Sequence, residues 1–413
     1  MRPRVAMLAY ACDPVGNGEH WLGWGWAEAA SRFCDVTLFT PPKARAAIEK
    51  EASRLGIAVA FVEIPAWLRW CSERLGTGGL WWRKIAWAKR AAAAVRARLG
   101  DFDIVHQTTF HTFRVPFYAA ELGIPSIWGP IAGGESAPAG FEEILGPEAA
   151  KSERKRDSQN RRWLRWGSVQ RALRSTSAIF VSNRTTLQFL PKFAQSKAIV
   201  VPPNTVRVGE TKSIGLRTAR SGPLKLIYAG NCVATRGIPL VLRAIRGSAD
   251  IKLTVVGGGT ALEAWKREAT HLGLGDAVEF TGGIPREQLL ARYAESDALI
   301  FPALRDSGGS ALLEAMSMGL PVVCLDWGGP GEMVDDASGI KIAVRSPEQV
   351  IADMKAAFAH LQAEPGLRNE IATNAAARVR ECFTWDAKER ILRETCERLL
   401  SHKAADTVER HPL

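Results

Sequence analysis

Short apolar runs alternate with longer segments of helical periodicity along the whole chain, and the alternation starts afresh once near its middle. A strand covered on both faces needs no polar side, so such runs predict parallel sheets wrapped by crossover helices. In the first half the runs place strands at Val5–Ala11, Asp35–Thr40, Ala58–Ile64, Ile104–His106, Ser126–Trp128, Ala178–Ser182 and Ile199–Val201. The second half repeats the pattern at Leu224–Ala229, Lys252–Val256, Val278–Thr281, Ala298–Phe301, Val322–Leu325 and Gly339–Ile342. Between them Val201-Pro202-Pro203-Asn204 stops the regular pattern, and Gly209–Gly222 is rich in Lys, Arg, Thr, Ser and Gly. With 413 residues the chain exceeds what one core accommodates, so the expectation is two domains, 1–203 and 204–384. The last helical segment, 385–413, is expected to pack back onto the first domain, an ordinary terminal helix on the second being the alternative. The fold class is α/β, two Rossmann-like doubly wound domains, whose ligands are expected in a cleft at the carboxyl ends of both sheets.

Composition narrows the class further. No stretch approaches the roughly 18 uninterrupted apolar residues of a membrane-spanning helix. The seven cysteines are scattered and never spaced C-x-x-C, which disfavours a disulfide framework or a zinc site and fits a reducing cytoplasm. Met1-Arg2-Pro3-Arg4 before an apolar run ending at Cys12 mimics a secretory or lipoprotein leader, but the run is too short and a first buried strand is the expectation. The net charge of +11 is uneven: residues 1–203 hold 28 Lys/Arg against 17 Asp/Glu, and residues 204–413 hold 26 against 26.

The most informative segment runs from Phe301 to Val323. A strand ends, a loop carries Asp306, Gly308-Gly309 lets backbone approach a ligand, Ser310 is placed to cap a helix that Gly319 terminates, and a new strand begins. Such a helix N-terminus binds phosphate. Helical side chains lean toward the N-terminus, so Glu314 reaches toward the same pocket.

An acid, seven residues, a glutamate and then A-M-x-x-G-x-P-V-V resemble the E-x7-E region of the family 4 glycosyltransferases, retaining enzymes of the GT-B fold, with Asp306 where that family usually has Glu. The resemblance implies that Asp306, Ser307, Gly308, Gly309 and Ser310 hold the transferred sugar and the diphosphate, and that Glu314 binds the nucleotide ribose. Tyr228–Gly237 is similar to the family's G-R-x-x-x-x-K-G segment, whose two cations grip the donor diphosphate; Arg236 keeps one, and Asn231 replaces the other. Gly257, in Val256-Gly257-Gly258-Gly259, resembles the glycine turn after the next strand, and Ile284 lies in the loop whose backbone reads the nucleobase. Gly16 and Gly18 lie in a turn similar to the family's first loop, near diphosphate and acceptor; they do not complete G-x-G-x-x-G, because Trp21 stands where the third glycine belongs. His106 and His111 are the candidates for the histidine that related GT-B enzymes place against the donor sugar, a strand-end hydrogen bond being the alternative role for each. No metal site is expected: the only D-x-D, Asp101-Phe102-Asp103, precedes a buried strand. No cofactor beyond the nucleotide-sugar substrate is implied.

Residues 67–99 and 151–174 interleave Lys and Arg with tryptophan, which suits an anionic membrane surface; core tryptophans on amphipathic helices with solvated charges are the alternative. No recognisable nucleic-acid module is present, so nucleic acid is not an expected partner. The expectation is a retaining glycosyltransferase, peripheral on the inner face of the cell membrane. It would move a sugar from a nucleotide diphosphate to a glycan or lipid-linked glycan in cell-surface polysaccharide biosynthesis. A sugar-nucleotide 2-epimerase of the same fold, or a non-catalytic protein binding nucleotide sugar or membrane, remain open as alternatives.

Overall fold

The structure, a computed structural model, describes residues 2–74, 76–206, 215 and 222–410. The segment Gly209–Gly222, read above as part of the boundary, lies outside the described residues apart from Gly215 and Gly222. Contacts divide the chain into two units. The first comprises Met1–Gly134, Ser158–Pro203 and Trp385–Leu413, and the second Glu135–Asp157 and Asn204–Thr384.

The first unit is built on seven parallel strands: β1 (Arg4–Leu8), β2 (Asp35–Thr40), β3 (Ala58–Phe61), β4 (Ile104–Gln107), β5 (Ser126–Ile131), β6 (Ala178–Val181) and β7 (Ala198–Val200), in the order β3-β2-β1-β4-β5-β6-β7. Successive side chains of β1 point to opposite faces and both faces are covered. Ala6 and Leu8 join Trp87, Val105, Trp128 and Ile179 on one side, while Val5 and Met7 join Trp26, Ile104, Ile127 and Phe180 on the other. The helix Trp385–Arg410 belongs to this second layer through Leu392 and Cys396. Its entry is fixed by Trp385, which stands edge-on to Trp26 with centroids 5.8 Å apart and lies where any side chain at position 25 would have to go, 1.9 Å from the Cβ that Gly25 lacks.

The second unit repeats the winding with six parallel strands: β8 (Leu224–Ala229), β9 (Ile251–Val256), β10 (Val278–Gly282), β11 (Ala298–Phe301), β12 (Val322–Leu325) and β13 (Ile340–Ile342), ordered β10-β9-β8-β11-β12-β13. Leu224, Leu226 and Tyr228 face one core, and Ile227 and Ala229 the other. In each sheet the order reverses beside the first strand, between β1 and β4 and between β8 and β11, and the loops after those strands form the crevice where doubly wound sheets bind ligands.

One boundary differs from the sequence expectation. Glu135–Asp157, placed above in the first domain, groups with the second unit. The reason is a set of polar contacts distant in sequence: Glu153 accepts from Arg305 Nε at 2.7 Å, Glu143 from Arg243 at 2.7 Å, and Trp327 Nε1 donates to the Ser136 carbonyl at 2.8 Å.

Candidate functional site

At the switch point of the second sheet, the loop leaving β8 carries Arg236 and the loop leaving β11 carries Asp306. Their side chains form an ion pair, and Arg236 Nη1 also donates to the Arg305 carbonyl at 3.2 Å. The other carboxylate oxygen of Asp306 accepts from the backbone N–H of Gly308 at 2.8 Å and of Gly309 at 3.1 Å. An anion thus already sits on the amides and cation that a phosphate would use. Gly309 holds this geometry because its φ of 57° lies in the left-handed region. The helix Ser310–Ser317 therefore starts from Gly309 without a side-chain cap, and Ser310, expected to cap it, is its exposed first residue. Ser307 lies half-buried between Asp306 and the glycines.

Glu314 is mostly buried in the second turn of that helix, and its Oε1 is 2.8 Å from Nη2 of Arg286, which opens the helix after the loop holding Ile284. Asn231 is exposed, and its carbonyl accepts from the Tyr228 hydroxyl at 2.9 Å. Burial pushes the Tyr228 phenol above its ordinary range, so it remains a donor to that turn. Gly257 closes the base of the crevice. A Cβ there would lie 1.9 Å from the Gly230 carbonyl, so the two loops approach this closely only through glycine.

The first unit's switch point is built from different chemistry. The turn with Gly16 and Gly18 follows β1, and Gly18 immediately precedes the helix Glu19–Ser31. Glu19 Oε1 accepts from the backbone N–H of His111 at 2.9 Å. Burial pushes the Glu19 carboxyl up, but His111, Lys84 and His20 together hold it below its ordinary value. Burial lowers the His111 imidazole, against the pull of Glu19 and with help from Lys388 and Lys84, so the ring is neutral at pH 7. His106, the second candidate, is a core residue: it is fully buried, its Nε2 is 2.9 Å from the Gly129 carbonyl, and its ring meets Trp26 and Phe180 edge-on. That enclosure holds its pKa down to about 4 and removes it from the candidate site. The D-x-D acid Asp103 is bound to Arg4, with 2.9 Å between Oδ1 and Nη2.

Residues 216–378 match the family described as glycosyl transferases group 1. The chain is 32% identical over 180 residues to a GDP-mannose-dependent alpha-(1-6)-phosphatidylinositol monomannoside mannosyltransferase of Mycolicibacterium smegmatis, a match covering 41% of this chain and 46% of that protein. The chain thus aligns with under half the length of this relative. An MMP alpha-(1->4)-mannosyltransferase of Mycolicibacterium hassiacum is 26% identical over 310 residues, 72% of this chain and 71% of that protein. Among solved structures, the sucrose-phosphate synthase of Thermosynechococcus elongatus superposes with a TM-score of 0.61 at 16% identity, covering 97% of this chain and 100% of that one. This chain is similar to the glycosyl transferases group 1 family over residues 216–378. Its fold is the GT-B type, as in Anabaena HepE in complex with UDP, matched with a TM-score of 0.60 at 14% identity over 95% of this chain and 99% of that one.

In this chain the structure gathers Arg236, Asp306, Gly308 and Gly309 into one hydrogen-bonded cluster, with Glu314 on the helix that follows. Sequence reasoning missed the residues that support the cluster from far along the chain. Arg286 pairs with Glu314, Glu153 anchors the residue next to Asp306, and the Gly329 N–H donates to the Asp306 carbonyl at 2.8 Å. It also missed Glu19. No local spacing marks any of these, because each partner comes from a different crossover.

Proposed function

We propose that this chain is a retaining glycosyltransferase that moves a sugar from a nucleotide diphosphate to a glycan or lipid-linked glycan, in cell-surface polysaccharide assembly at the inner face of the membrane. The observation that carries the reading is the Arg236–Asp306–Gly308–Gly309 cluster at the switch point of the second sheet. Two backbone N–H groups and a guanidinium converge there, the arrangement that stabilises a departing diphosphate as its charge develops. The names of its relatives agree, one with GDP-mannose as donor and a structural neighbour with bound UDP.

In the proposed reaction the bond between the anomeric carbon and the diphosphate oxygen breaks, and the acceptor oxygen bonds to that carbon from the same face. The departing phosphate oxygen takes the acceptor proton, so no protein nucleophile is required. Arg236 and the loop amides bear the leaving charge, Asp306 orients the sugar once displaced from the amides, Glu314 holds the ribose, and His111 contacts the sugar as a neutral donor or acceptor. Because guanidinium and amides meet the diphosphate charge, the reaction needs no metal, and EDTA leaves its rate unchanged.

Incubation of the full chain with isotopically labelled UDP and GDP sugars and extracted cell-surface glycans tests the reading. Transfer with the anomeric configuration of the donor supports it. Inversion at C2 without transfer would mark the epimerase alternative, and binding without any turnover would mark a non-catalytic protein.

A further inference from the structure

Outside the switch points the described residues hold a cavity of about 790 Å³ in the first unit, lined by Trp81, Trp82, Trp163 and Trp166 with Arg114, Arg162, Arg165 and Gln159. Its size is that of a small-molecule site. The indoles form a wall: Trp81 and Trp163 have centroids 6.0 Å apart, and Trp163 and Trp166 meet edge-on at 5.2 Å. No acidic side chain is among the lining residues, and no ion pair among the described residues engages Arg162 or Arg165. Arg114 is held in place from below: its Nε donates to Oδ1 of the fully buried Asn160 at 2.9 Å, and its guanidinium lies 5.6 Å from the Trp81 ring centroid.

Two further observations say what such a cavity would hold. Trp82, on its rim, is 61% exposed, and the hairpin formed by the helices Ala66–Arg74 and Gly76–Arg96 also exposes Trp67 and Trp70, at 66% and 54%. Exposed indoles beside cations suit the headgroup region of a bilayer, where one side of the ring is apolar and the other wet. Lys84 links the cavity wall to the first switch point: it lies 5.4 Å from the Trp81 ring and 5.3 Å from that of Phe110, the neighbour of His111. A ligand filling it is apolar along its length, anionic at one point, and presented from a membrane.

We propose that this tryptophan and arginine cavity binds the phosphate and the adjoining apolar chain of a single-chain lipid phosphate, the carrier portion of a lipid-linked acceptor. The phosphate meets Arg162 and Arg165 and the chain lies along Trp81, Trp82 and Trp163, with the exposed hairpin tryptophans in the headgroup layer. The proposal rests on the glycosyltransferase reading and narrows its acceptor to one chemical class.

The test is tryptophan fluorescence and calorimetric titration of the full chain with farnesyl phosphate below its aggregation concentration, beside farnesol, inorganic phosphate and maltotriose. The expected result is binding of farnesyl phosphate at least about tenfold tighter than farnesol or inorganic phosphate, with Arg162→Glu and Arg165→Glu each weakening it about fivefold to tenfold. Trp82→Ala, at an exposed position that leaves the core intact, weakens farnesyl phosphate and farnesol alike. Binding of farnesyl phosphate no tighter than inorganic phosphate, or unchanged in all three variants, overturns the proposal. So does competition by maltotriose, which would make the indoles a sugar-stacking platform. Nucleoside diphosphate binding on the same samples reports separately on the donor site, so loss of one reading leaves the other visible.

Discussion

The two switch points share a topology and differ in what they hold. In the second unit a guanidinium, a carboxylate and two backbone amides form a mostly buried polar cluster, in which Asp306 occupies the amides. In the first unit the Glu19 carboxylate accepts the backbone N–H of His111, whose imidazole burial holds neutral. The first arrangement is poised for a polyanion that replaces an internal one. In the second the cation Lys84 already faces Glu19, and the neutral imidazole of His111 suits an uncharged group such as a sugar hydroxyl. The doubly wound sheet thus fixes where a ligand goes, and the residues after its two central strands fix which ligand.

The largest expected effect separates core from site within the first unit. Burial holds His106 at about 4 in the folded state, against roughly 6.5 when unfolded. Between those values the unfolded chain binds more protons, so the contribution is complete above about pH 6.5 and is lost as pH falls toward 4, a change of about 3 kcal/mol. Urea unfolding of His106→Gln at pH 7 and pH 4.5 will show a shallower pH dependence than the parent chain. An unchanged slope would mean that His106 is not enclosed as described.

Next in size, Arg236→Ala should weaken a nucleoside diphosphate by about 2 kcal/mol, roughly 30-fold, while changing nucleoside affinity little, since a charge-assisted contact to phosphate is removed. Equal losses for both ligands in calorimetry would break the assignment of the second switch point to an anion. Glu314→Gln should cost about 1 kcal/mol, roughly fivefold, in binding of the nucleoside itself, with the unfolding midpoint nearly constant because glutamine keeps the side chain's size and its partner Arg286 is exposed to water. His111→Asn is the smallest: turnover falls about threefold to tenfold and nucleoside diphosphate affinity stays as it was, as expected for a hydrogen bond to a neutral sugar. A loss of diphosphate binding in that variant would erase the distinction between the two switch points.

Much of this was legible in the sequence because it is local. The thirteen strands among the described residues announce themselves as apolar runs, since parallel strands covered on both sides leave no polar alternation to confuse them. Asp306, the two glycines and Glu314 are joined by one loop and one helix, so their spacing alone brings them together. What was not legible depends on distant partners. The charged helix Pro147–Leu164 shows no pattern that assigns Glu135–Asp157 to the second unit, an allegiance made by Arg305, Arg243 and Trp327. His106 and His111 look alike as two histidines near one strand end; only the extension of β4 to Gln107 puts the first inside the sheet. Ser310 had the chemistry of a cap, but the left-handed Gly309 takes the position before the helix and Ser310 becomes its first residue, one place past the cap.

The displacement of Asp306 by a donor is tested most directly by the backbone amide resonances of Gly308 and Gly309 during titration of the full chain with UDP and GDP, each beside its nucleoside. Both amides should shift and saturate together with the diphosphate that binds, and remain unmoved by the nucleoside. Saturable binding of the diphosphate with both glycine resonances unmoved would contradict the account and place the phosphates elsewhere.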